Sequence, residues 1–496
     1  MTMDPAKLRD RLRGVVRPLG GAVPASVPAP ERSTQDAAAG AQVPSSEPRI
    51  DAGTTHVDAR DAVAVPPDAA GVVARPSSDV PQRKASSLRS SNLEAVLGGE
   101  WRIESNARSF VVRRRFDAES KYGRMRIGDL AETLTAASAG ASMVAAGVPR
   151  APFVFFDLET TGLSGGAGTH AFLIGCAWFE DDGAFVTEQH VMADYAAERG
   201  MLAVAARDLA RAGALVTFNG KSFDAPVLET RYLFHRMTSP YADVPHVDVL
   251  HPARRFWGGH AELGCSLIAL EQQLLGARRI GDVPGFEIPE RYFQYVRGGD
   301  ARPLVDVLEH NRLDLLSLAG LTARLLHLVT HGASSTDDAR ECLALGRVYE
   351  RAGDGVRSEA AYVRAVSLTS SAALSGRALS RRMAADWAWT PSGMRAEALR
   401  SLAVNARRQR RFNEAAGWWR QLLDVPGCQA QLRREATEAL AIHHEHRDRD
   451  LAAAKMFALK SLEAGTETAW GDAVRHRLAR IERKMVSERP LFPSLP

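Results

Sequence analysis

The chain has 496 residues, 45% of them hydrophobic and 25% charged, with a formal net charge of +4. That length is too great for one core and suggests roughly three units, while the mild positive balance permits a nucleic-acid partner without demanding one. The four cysteines (Cys176, Cys265, Cys342, Cys428) are far apart with no C-x-x-C pair, which argues against a disulfide or zinc framework.

Residues 1–90 are rich in Ala, Pro, Ser, Asp and Val with no sustained period, so a disordered segment is expected, the alternative being a short docked helix at 4–14. The start of the chain lacks the apolar stretch of a signal peptide, and no run of about 18 apolar residues occurs anywhere. The expectation is a cytoplasmic protein that makes no membrane contact. Residues 91–150 read as an arm laid on the next domain, with two short strands over 101–116 and a helix over 129–148. Arg113, Arg114 and Arg115 in that arm fit either phosphate contacts or a charge-guarded edge strand.

Residues 151–330 carry the chemistry. Phe153 to Phe156 is an apolar run with the composition of a buried strand. Asp157 and Glu159 follow at a spacing of two, so both point to one face while Leu158 points to the other. Two carboxylates at the mouth of a buried strand need a compensating cation, and oxygen ligands suit Mg²⁺ or Mn²⁺. A Gly-rich turn, 164–168, lacks the Lys-Ser/Thr ending of a phosphate loop and reads as a wide hairpin turn. Strands are predicted near 171–179, 184–192, 214–218 and 246–250. Helices are predicted at 197–212, 223–236 and 264–275, and from Pro303 to about Val329. Three antiparallel strands followed by alternating helices and strands imply a mixed central sheet with helices on its faces.

Asp224 follows the turn at Asn219-Gly220 and opens a helix, and Asp314 sits in the last helix, four residues after His310. Four carboxylates placed this way suit two divalent ions about 3.5–4 Å apart. His310 is placed to take a proton from an attacking water. Asn219 and Lys221 flank the site and suit a scissile phosphate, or Asn219 simply makes the turn. Tyr292, Phe293 and Tyr295 with Arg291 and Arg297 fit either a single-strand platform or core packing. His246, His251 and His260 match no zinc spacing and are expected to be structural. Asp248, at a strand end, is expected behind the acids.

Residues 338–485 lose strand signals, and three segments fit a 34-residue helix-turn-helix template starting near 339, 396 and 435. The expectation is a degenerate tetratricopeptide-like all-α solenoid whose surface takes an unknown protein partner.

Asp157-x-Glu159-Thr160-Thr161-Gly162, Asn219-x-x-x-Phe223-Asp224 and His310-x-x-x-Asp314 resemble the three motifs of the DEDD exonuclease superfamily. With the arm and the helical tail, the chain looks most like the YprB-type branch of ribonuclease H-like proteins. The resemblance implies an α/β ribonuclease H-like domain and two-metal hydrolysis of phosphodiesters from the 3′ end of single-stranded DNA or RNA. Asp157, Glu159, Asp224 and Asp314 become the metal ligands and His310 the base. In one DEDD branch a Tyr precedes the last Asp by four residues, and in the other a His precedes it by five. Here His310 stands at four and Glu309 at five, and one helical step is about 100°. The rival reading is a catalytically weak nucleic-acid-binding scaffold that acts through its repeats.

Overall fold

The run Phe153–Phe156 opens an interior strand of a seven-stranded sheet. The computed structural model describes residues 92–104, 106–162, 168–258, 264–374, 387–462 and 469–487, all within the unit Arg83–Pro496. The expected segment 1–90, the Gly-rich turn 164–167 and His260 lie outside the described residues. The strands are β1 (Glu100–Glu104), β2 (Ala107–Phe116), β3 (Phe153–Thr160), β4 (Ala171–Phe179), β5 (Phe185–Val191), β6 (Ala214–Thr217) and β7 (His246–Asp248). Their spatial order is β1-β2-β5-β4-β3-β6-β7. Pairing is antiparallel from β1 through to β3 and parallel from β3 through β6 to β7. The parallel strands need crossovers, which helices α2 (Glu198–Leu209) and α3 (Asp224–Phe234) supply.

The alternation along β3 builds two different faces. Val154, Phe156 and Leu158 join Met201, Leu202 and Ala205 of α2 and Leu228 and Tyr232 of α3 in one core. Phe153 and Phe155 join Leu315, Leu318 and Ala319 of a 29-residue helix, Pro303–His331, in another. Each fully buried aromatic of this kind contributes about 1.5–3 kcal/mol. Beyond Phe155 the second face changes character, and Asp157 and Glu159 occupy the C-terminal end of the strand. The helix Pro303–His331 is long and apolar enough to cross a membrane by length and composition, which a search for unbroken apolar runs overlooks. It is a core helix instead, with 72% of its most apolar window buried in the protein.

Residues before β3 add two strands and a short helix to the sheet region. Strands β1 and β2 extend the sheet beyond β5, and helix α1 (Ile127–Ala136) follows in place of a single helix over 129–148. Strand β2 is not an edge, because it pairs with β1 on one side and β5 on the other. Its arginines are spent locally: Arg113 on Glu180 and Glu188, Arg115 on Glu180, Asp117 and Asp182, and Arg114 on the carbonyls of Leu97 and Gly98. The helix expected at 264–275 splits into a single turn, Leu267–Leu270, and a π-helical turn, Glu271–Leu275. Two helices without a clear sequence signal appear at Leu250–Trp257 and Ile288–Gly298.

The C-terminal region is helical. Ala339–Arg351, Gly355–Leu374, Pro391–Arg408, Phe412–Leu423, Ala430–His443, Leu451–Leu462 and Ala469–Ser487 follow one another, each packing on the next. Their core is a string of small clusters that bridge successive helices rather than one central core. At Gly346 a Cβ would lie 2.4 Å from the Tyr362 ring, so only glycine lets that helix pair approach so closely. The first of these helices is tied to the sheet region: Glu341 accepts from Trp257 Nε1 at 2.8 Å and from Arg324, and Tyr349 Oη donates to the Val329 carbonyl at 2.8 Å.

Candidate active site

The carboxylates predicted from the sequence converge at the C-terminal end of β3. Asp157 and Glu159 come from the strand, Asp224 from the first turn of α3, and Asp314 from the core helix Pro303–His331. Electrostatic repulsion links them. Burial, followed by Asp314, Glu159 and Asp224, lifts the Asp157 carboxyl well above the usual carboxylate range. Burial, then Asp314, Asp224 and Asp282, does the same to Glu159. Asp224 is pushed up to about 7 by burial and then by Asp248, with Asp314 adding to the effect. Asp314 is raised by burial, against the opposing pull of Arg279 and His310. Among the described residues no side chain hydrogen-bonds to or pairs with Glu159. Such mutual repulsion in a partly dry site is the usual signature of groups that await a cation.

A second layer, which sequence reasoning missed, fixes these acids. Asn311, fully buried next to the motif histidine, donates from Nδ2 to Asp157 Oδ2 at 2.8 Å. Gln189 of β5 donates to Asn311 Oδ1 at 3.0 Å and to the Leu308 carbonyl at 2.7 Å. Asp157, Gly175 and Gln189 lie in one row across β3, β4 and β5. A Cβ on Gly175 would sit 2.2 Å from Asn311 Oδ1, so the glycine is what lets the helix lower Asn311 onto the sheet.

His310 is buried between two acids. Its Nδ1 lies 2.8 Å from Asp282 Oδ1 and its Nε2 lies 3.6 Å from Asp314 Oδ2. With Asp282 accepting from Nδ1–H, the Nε2 lone pair faces the acid cluster, the tautomer a base requires. Asp282 and its neighbour Arg279 lie on the irregular stretch after the π turn, where no periodicity marks them; only the tertiary fold brings them to the site.

Asn219 adopts φ +69° and makes the turn, its N–H donating to Asp248 Oδ1 at 2.8 Å. The Lys221 N–H donates to Asp248 Oδ2 at 3.1 Å. Asp248 therefore organises the loop behind Asp224, while Asn219 and Lys221 remain exposed. The aromatic set is core packing. Tyr292 and Tyr295 are buried, with their hydroxyls donating to the Met192 and Ala193 carbonyls. Arg291 and Arg297 pair with Asp306 and Glu290. His246 bonds Thr217 Oγ1 at 2.8 Å, and His251 is an exposed helix residue.

The one group among the described residues that brings metal-ligand atoms within 4.8 Å of one another lies elsewhere: Glu188, His190 and Asp208. It faces α2, on the opposite side of the sheet from Asp157. Arg102, Arg113 and Arg207 already surround Glu188, and Asp208 holds His190 Nε2 at 3.0 Å, so its charge is met without an ion.

Comparison with known proteins agrees with this architecture. The RNase_H superfamily model matches residues 154–326, the stretch from the first acidic strand through the helix that carries Asp314. The chain is also 28% identical over 373 residues to "Uncharacterized protein YprB" of Bacillus subtilis (strain 168), a match covering 74% of this chain and 84% of that protein. Residues 154–326 resemble the RNase_H superfamily in sequence and form a mixed sheet flanked by helices, and that likeness supports a nuclease.

Proposed function

We propose that this ribonuclease H-like chain is a divalent-metal-dependent nuclease that removes nucleotides from the 3′ end of single-stranded DNA or RNA. The observation that carries the reading is the convergence of half-buried Asp157, Glu159 and Asp314 with buried Asp224, repelling one another, at one end of the sheet. An all-oxygen donor set of this kind fits Mg²⁺ or Mn²⁺. When bound, such an ion polarises the phosphate and lowers the pKa of a water. The chain's own residues do the rest. Asn311 holds Asp157 in place, and Asp282 orients His310 so that Nε2 takes the proton of the attacking water. Asn219 and Lys221 offer a donor and a positive charge to the phosphate next to the cleaved bond. The helical tail, read as tetratricopeptide-like repeats, positions the strand or holds a protein partner.

Polarity is tested with the same single strand labelled at either end. A 5′ label is expected to yield a ladder that shortens step by step, and a 3′ label to yield labelled mononucleotide as the first product. Internal fragments from both labelled preparations would instead make the chain an endonuclease.

A further inference from the structure

The acid cluster is not evenly short of cations. Asp157 has only the neutral Asn311 amide, and Glu159 has no side-chain hydrogen bond or ion pair among the described residues, only the longer-range pull of Arg279. Asp314 differs: Arg279 holds its Oδ1 at 2.5 Å. The Arg279 side chain is 4% exposed and contacts two more acids, Glu271 at 2.7 Å and Asp282 at 3.2 Å. Glu271 is itself locked, since it accepts from Ser317 Oγ at 2.6 Å, and Ser317 Oγ lies 2.7 Å from Tyr122 Oη. The guanidinium is therefore tethered on three sides. Its planar fork matches three carboxylates that no compact ammonium could serve together.

We propose that Arg279 is a fixed cation of the site. The chain then holds one divalent ion, at Asp157, Glu159 and Asp224, and the Arg279 guanidinium takes the place at Asp314 that a second ion would occupy. The inference rests on the metal-dependent reading above and departs from the two-ion arrangement that the motif resemblance implies. A divalent ion bound through Asp314 would lie against a guanidinium that cannot withdraw. The positive charge beside the phosphate at that corner comes from the protein.

The test is Mn²⁺ binding to the full chain, followed by titration calorimetry and by electron paramagnetic resonance. The wild type is expected to bind one Mn²⁺ per chain with no exchange-coupled pair. Arg279→Gln is expected to bind two, the second within tenfold of the first in Kd, with a coupled-pair spectrum. If Arg279→Gln alone fails to fold, the charge-balanced double variant Arg279→Gln with Glu271→Gln is expected to show the same gain. Two ions in the wild type, or an unchanged single ion in a folded Gln variant, would overturn the proposal and leave the metal-dependent reading standing. No Mn²⁺ bound by any of the proteins would remove that reading, and this inference with it.

Discussion

Replacing Asp224 with Asn should make the metal-free protein more stable while abolishing its activity. Asp224 is 5% exposed at the first turn of its helix, and its carboxyl is pushed from 3.8 to about 7 by burial and by Asp248. A shift of about three units corresponds to about 4 kcal/mol that the ionised folded form loses relative to the unfolded chain. At pH 8 without metal the wild type carries that penalty, and an Asn of nearly the same shape does not. Allowing for relaxation around the site, the variant should gain about 2–4 kcal/mol, which raises Tm by several degrees. Mn²⁺ should reverse the order. An ion at about 100 times its Kd stabilises the wild type by about 2.7 kcal/mol, and the variant, having lost a ligand, should gain much less. The assay is thermal unfolding at pH 8, in EDTA and in Mn²⁺, for both proteins. A variant less stable than the wild type in EDTA, or an equal Mn²⁺ shift in both, would refute the reasoning.

The same electrostatics set a pH dependence. Because Asp224 keeps its proton in the folded state up to about pH 7 while the unfolded chain releases it near pH 4, the metal-free wild type should lose stability as pH rises through that window; Mn²⁺ should flatten the Tm profile. Gly175→Ala places a Cβ 2.2 Å from Asn311 Oδ1 and should cost about 1–3 kcal/mol, with a fall in kcat because Asn311 no longer holds Asp157. Tyr295→Phe removes the 2.9 Å bond to the Ala193 carbonyl; it should cost about 1 kcal/mol and leave affinity for single strands unchanged, the opposite of what a stacking platform would show. Lys221→Gln should weaken single-strand binding and reduce the dependence of log K on log salt by about one contact.

The central strand was legible because its chemistry is local. Phe153 to Phe156 declares a buried strand, and the Asp157/Glu159 alternation with Leu158 between them declares which face is acidic. Asp224 and Asp314 could be placed because each sits at a recognisable position, one after a strand-turn and one inside a long apolar helix that starts at a proline. What the sequence did not disclose depends on partners distant in the chain. Arg279 and Asp282 lie in an aperiodic stretch whose meaning comes only from docking against Asp314 and His310. Strand β2 looks like an edge until its pairing with β5 is known. Tyr292 and Tyr295 resemble a base-stacking pair in composition, but the helix that carries them turns both rings inward, where their hydroxyls reach backbone carbonyls. Asn311 stood in plain view beside His310, yet its role needed Gly175 and Gln189 from two other strands.

The most direct test of the account is cleavage of a 5′-labelled single strand by the full chain in Mn²⁺ or Mg²⁺, against EDTA and against Asp157→Asn. The account predicts metal-dependent shortening by the wild type, none in EDTA, and none by a folded Asp157→Asn that still binds the strand. Cleavage that survives both EDTA and the substitution would place the chemistry elsewhere. Tight binding by the wild type without cleavage in either metal would make the chain a nucleic-acid-binding scaffold.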